Sequence, residues 1–100
     1  MLIVREVLTA KPGQASKLAK LFKKVFAHDQ SAQVMTDMVG NYNTVVVQMQ
    51  VTNLAEFERQ MEEVKSGKPD PKMDPKVAEE MSKYTEMYLT GRREIYQIVE

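Results

Sequence analysis

The chain holds one histidine, His28, and neither cysteine nor tryptophan. Without cysteine there is no disulfide, thiolate metal site or cysteine nucleophile. His28 follows a run of helical apolar spacing, where a cation interacts well with the negative end of the helix dipole. No second ligand or triad partner lies near it in sequence. Asp29, Asp70 and Asp74 show no ligand spacing, so no metal site and no cofactor are expected. Lysines 11, 17, 20, 23 and 24 occur with no acid between Val7 and His28, a pattern with the charge to meet phosphates. Glu56, Glu58, Glu62 and Glu63, opposed only by Arg59, supply a complementary acidic helix. Two such helices side by side compensate each other, so these read as solvated faces rather than a nucleic-acid interface. The formal charge also balances, with 14 basic and 14 acidic residues.

The remaining candidates lie on a strand. In "TVVVQMQV", residues 44–51, one side carries Val45, Val47, Met49 and Val51, and the other carries Thr44, Val46, Gln48 and Gln50. A two-residue turn at Asn41-Tyr42 pairs Met38 with Val45, Thr36 with Val47 and Val34 with Met49, all on a helix-covered face. The opposite face then carries Met35, Asp37 and Val39 beside Val46, Gln48 and Gln50. An odd-length loop would place Asp37 among the valines, which burial disfavours. Half apolar and bearing glutamines, the open face has the composition of a cavity wall or protein interface. Candidate cavity-lining residues are Met35, Asp37, Gln48, Gln50, Tyr84, Tyr88 and Tyr96, although packing explains the tyrosines equally well. Candidate interface residues are Met35, Val39 and Val46, and no catalytic residue is assigned.

These residues need a scaffold. Residues 2–9 are rich in aliphatic and β-branched side chains and read as a strand ended by Pro12-Gly13. Ala15, Leu18, Ala19, Phe22, Val25 and Phe26 recur at helical spacing over 14–28. Residues 33–39 form a shorter strand that turns through "GNYN" into 44–51. Asn53, with Glu56 three residues on, opens a helix whose stripe is Leu54, Phe57, Met61 and Val64. Three prolines, Pro69, Pro71 and Pro75, make 66–75 an exposed connector. Asp74-Pro75 starts a further helix carrying Val77, Met81, Tyr84 and Tyr88, which Gly91 stops before a last strand at 92–99. The order is β-α-β-β-α-(α)-β, an α+β ferredoxin-like βαββαβ domain with an extra helix before the last strand, spanning 1–100 as one domain. Glu6 and Arg5 put one charge on each face of the first strand. Its orientation is therefore open, as is that of the last strand, which sets Tyr96 and Glu94 against Gln97.

The segments "KPGQASKLAKLF" and "GNYNTVVVQMQVTNLAEFERQM" resemble the dimeric α/β-barrel superfamily, above all its small NIPSNAP-type and antibiotic-biosynthesis-monooxygenase-type domains. The resemblance implies a homodimer stacked sheet on sheet, the glutamine-bearing face looking into a shared barrel. Members that degrade haem or oxidise polycyclic aromatics draw on tryptophan, asparagine or histidine in the cavity. This chain has no tryptophan, and Asn41 and Asn43 read as turn formers, so no catalytic residue carries over. The expected function is a homodimer that binds a small, partly apolar ligand or serves as an assembly module. The alternatives are a cofactor-independent or haem-handling monooxygenase and a ferredoxin-like regulatory sensor. The N-terminus MLIVREV meets a charge after four residues and no apolar run approaches a bilayer span, so a cytoplasmic protein without membrane or nucleic-acid partners is expected.

Overall fold

A computed structural model describes residues 1–66 and 74–100, without the side chain of Val64. The expected burial of Val64 and most of the expected 66–75 connector lie outside the described residues. The described elements are β1 (Leu2–Ala10), α1 (Ala15–Val25), β2 (Gln33–Thr36), β3 (Thr44–Val51), α2 (Leu54–Lys65), α3 (Pro75–Met81), a 3-10 turn (Tyr84–Glu86) and β4 (Tyr88–Gln97). The strands form an antiparallel sheet in the order β2-β3-β1-β4. This is the ferredoxin-like α+β arrangement expected from the order of elements.

The core occupies one face of the sheet. Val4, Leu8, Val45, Val47, Met49 and Val51 meet Leu18 and Phe22 of α1, while Phe57 of α2, Met81 of α3 and Tyr84 pack around them. The helices therefore share one side. Their ends follow local chemistry: Asn53 Oδ1 accepts from the Glu56 amide at 2.9 Å and Asp74 Oδ1 from the Lys76 amide at 2.8 Å, each satisfying an orphan N–H of a first turn. The Glu56 carboxylate does not return the bond; Arg59 takes it, and Arg59 also reaches Glu63.

The β2-β3 register pairs Thr36 with Val45, Val34 with Val47 and Met35 with Val46. That is two residues away from the expected pairing, so the faces are preserved while the hairpin loop lengthens to 37–43. Asn43 relieves the longer loop by adopting a left-handed φ of 62°, which asparagine tolerates. Met38, expected in the core, is exposed at the loop, and Leu54 is exposed on α2. Helix α1 ends at Val25, leaving His28 in an exposed turn beyond it. The helix expected to run to Tyr88 stops at Met81, and Tyr88 begins β4. Gly91 lies inside that strand opposite Leu8, where an added Cβ would come within 2.6 Å of the Leu8 Cδ2. The glycine admits close packing rather than stopping a helix. No ion pair joins the α1 lysines to the α2 acids among the described residues; α1 packs against α3 instead.

Candidate functional site

Strand alternation and pairing fix what the uncovered face carries. One row across it runs Met35, Val46, Val7 and Arg92. The next runs Gln33, Gln48, Arg5 and Glu94, and the third Gln50, Ile3 and Tyr96. Directly opposed side chains stand about 5 Å apart at Cβ, so each row is a line of interacting neighbours. The face is an apolar strip beside a polar one. Val7 is 8% exposed although no helix lies above it, whereas Met35 is 38% and Tyr96 48% exposed.

The polar strip is organised along β4. The Tyr96 hydroxyl donates to Glu94 Oε2 at 2.7 Å, and Arg92 Nε lies 3.6 Å from Glu94 Oε1. The Tyr96 hydrogen bond, with attraction from Arg92 and Arg5, holds the Glu94 carboxyl below its ordinary range. The same bond raises the Tyr96 phenol, since ionising it would set two negative charges together. Gln48 Nε2 donates to Gln33 Oε1 at 3.4 Å. Arg5 differs from all of these: its Nε is buried and has no hydrogen-bond partner.

Of the expected cavity-lining residues, Met35, Gln48, Gln50 and Tyr96 do share this face. Asp37 does not, because β2 ends at Thr36 and Asp37 Oδ1 instead accepts from the Thr44 amide at 3.0 Å, closing the hairpin. Tyr84 and Tyr88 lie on the helix side. Their rings are 5.6 Å apart, and Tyr84 meets Phe22 edge-on at 6.0 Å. Burial is the main reason the Tyr84 phenol is raised. Of the expected interface residues, Met35 and Val46 lie on the face, while Val39 is in the hairpin loop and 98% exposed. The missed members are Ile3, Arg5, Val7, Arg92 and Glu94. A charge on each side of β1 and β4 concealed them; only the strand pairing shows that Glu6 and Arg93 form an ion pair on the helix side, with Arg93 over the Phe57 ring at 5.3 Å.

A concavity of about 590 Å³ lies apart from this face, between α1 and the hairpin, lined in part by Ala15, Ala19, Lys20, Lys23, Asp37 and Tyr42. No group of three His, Cys, Asp or Glu side chains is placed to hold a metal among the described residues. No described helix is long and apolar enough to cross a membrane.

No family model matches the chain, and no curated protein sequence matches it. Its fold is nonetheless shared with solved structures. A NIPSNAP domain protein from Burkholderia xenovorans superposes with a TM-score of 0.71 at 14% identity, covering 99% of this chain and 95% of the other. A NIPSNAP family protein from Agrobacterium tumefaciens gives 0.75 at 8% identity, over 99% and 86%. A candidate antibiotic biosynthesis monooxygenase from Deinococcus radiodurans gives 0.62 at 13% identity, over 100% and 94%. The ferredoxin-like α+β fold of the NIPSNAP-like and monooxygenase-like domains is therefore the fold of this chain.

Proposed function

We propose that residues 1–100 act as one domain that pairs with a second copy through the uncovered sheet face, closing a two-subunit α/β barrel whose interior binds a small, partly apolar ligand. One observation carries the reading: the helices share a single side of the sheet, leaving Ile3, Val7, Val46 and Met35 together on the other. Covering apolar surface is worth about 25 cal/mol for each Å² removed from water. A two-fold partner covers the same patch on both chains at once. The Gln33-Gln48 and Tyr96-Glu94 bonds keep polar groups satisfied as water leaves, while exposed Gln50 is free to meet water or a ligand inside. The domain is proposed to work in the cytoplasm.

Val46→Lys tests this. It places a charge in the middle of the apolar row without touching the helix-side core. Sedimentation velocity at micromolar concentration is expected to show a wild-type dimer and a dissociated variant. A monomeric wild type, or a variant dimer of unchanged stability, overturns the proposal.

A further inference from the structure

The uncovered face carries two guanidinium groups, Arg5 and Arg92, against one carboxylate, Glu94. Glu94 is already engaged by Tyr96 and Arg92. Arg5 makes no hydrogen bond or ion pair through its guanidinium among the described residues, and its Nε is shielded from solvent without a partner. Closing two such faces on each other brings four guanidinium groups to two carboxylates. Even with Glu94 attracting both arginines, each subunit brings one positive charge in excess to the closed face, and Arg5, on a central strand, is the one furthest from solvent. A buried charge without a counter-charge is strongly unfavourable. Resting on the proposed barrel, we infer that each subunit admits one small aliphatic carboxylate, its anionic head against Arg5 and its tail along Val7, Val46 and Met35.

The chemistry of the two strips selects that class. A guanidinium presents a planar fork of donors that matches the two oxygens of a carboxylate. Gln48 stands directly opposite Arg5 on β3 and offers an amide that donates or accepts. The neighbouring row, Met35, Val46 and Val7, gives a short alkyl chain an apolar bed next to the charge. A neutral ligand would leave the excess charge in place. A small inorganic anion would leave the apolar bed unused.

The test uses the full chain, with hexanoate, hexanol and inorganic phosphate as probes at matched ionic strength. Sedimentation equilibrium gives the dimer dissociation constant of the wild type, Arg5→Met and Arg5→Gln, with circular dichroism confirming that each variant folds. For the wild type, hexanoate at ten times its dissociation constant is expected to lower the dimer dissociation constant roughly a hundredfold, each of two sites contributing a factor of about 1 + [L]/Kd. Hexanol and phosphate are expected to do far less. Both Arg5 variants are expected to lose the hexanoate effect, and Arg5→Met to dimerise more tightly than wild type without any anion. Phosphate acting as strongly as hexanoate overturns the assignment of a carboxylate with an apolar tail. A hexanoate effect that survives in both variants overturns the role of Arg5. A wild-type dimer indifferent to hexanoate overturns this inference alone, whereas a wild-type monomer in every condition overturns the barrel and the inference with it.

Discussion

Phe22→Ala tests the helix-side core most severely. Phe22 is 6% exposed, and its ring links three parts of the chain: the core residues of β1 and β3, Phe26 at 6.4 Å within α1, and Tyr84 edge-on at 6.0 Å. Truncating a buried phenylalanine costs about 3–5 kcal/mol through lost transfer energy and the cavity left behind. Losing the edge-on Tyr84 contact places the value in the upper part of that range, since aromatic pairs contribute about 0.5–1.5 kcal/mol beyond area alone. A domain of this size has about 5–15 kcal/mol in all and loses about 4–8 °C of Tm for each 1 kcal/mol, so a loss of about 4–5 kcal/mol is expected to lower Tm by about 16–40 °C. Urea titration followed by far-ultraviolet circular dichroism, at one fixed protein concentration, gives the midpoint and slope. Phe22→Leu, which retains most of the volume, is expected to lose about 1 kcal/mol. A Phe22→Ala loss below about 1 kcal/mol with an unchanged slope would refute the packing of α1 on the sheet.

Other consequences follow from single contacts. Gly91→Ala drives a Cβ to 2.6 Å from the Leu8 Cδ2, the far end of a side chain held in the core, and re-seating Leu8 there is expected to cost about 1–3 kcal/mol by the same titration; a neutral effect would mean that Leu8 re-seats freely and is not tightly packed. Asn53→Ala removes the cap on the Glu56 amide and is expected to cost about 1 kcal/mol, whereas Asn53→Asp preserves it. The lowered Glu94 pKa gives a stabilising contribution that is complete above the ordinary value of 4.5 and is lost as pH falls through the lower folded value. Tyr96→Phe removes its largest cause, so carbon-detected NMR titration should find Glu94 protonating at higher pH in that variant; an unmoved titration would dismiss the hydrogen bond.

What the sequence disclosed depended on how strongly burial constrained each position. The parity of the hairpin was legible because a one-residue slip would bury Asp37, and the faces survived a two-residue error that leaves parity unchanged. Loop length was not legible, since Asp37 closing onto Thr44 resembles a strand residue until its hydrogen bond is seen. Tyr84 and Tyr88 fitted a helical stripe, yet α3 stops at Met81 and a 3-10 turn hands the chain to β4. Arg5 and Glu6 are adjacent and oppositely charged, so alternation alone does not say which faces the helices. Pairing decides it: Glu6 meets Arg93 on the helix side, leaving Arg5 on the open face beside Glu94.

The pairing of two sheets is tested most directly by isotope-filtered NMR on a sample mixed from carbon-13-labelled and unlabelled chains. Intermolecular Overhauser effects then arise only between subunits. Sheet-on-sheet pairing predicts them from the methyl groups of Ile3, Val7, Met35 and Val46, and none from Leu18 or Val45 in the helix-side core. An associated protein whose intermolecular effects come instead from exposed helix residues, or a sample with none at all, would contradict it.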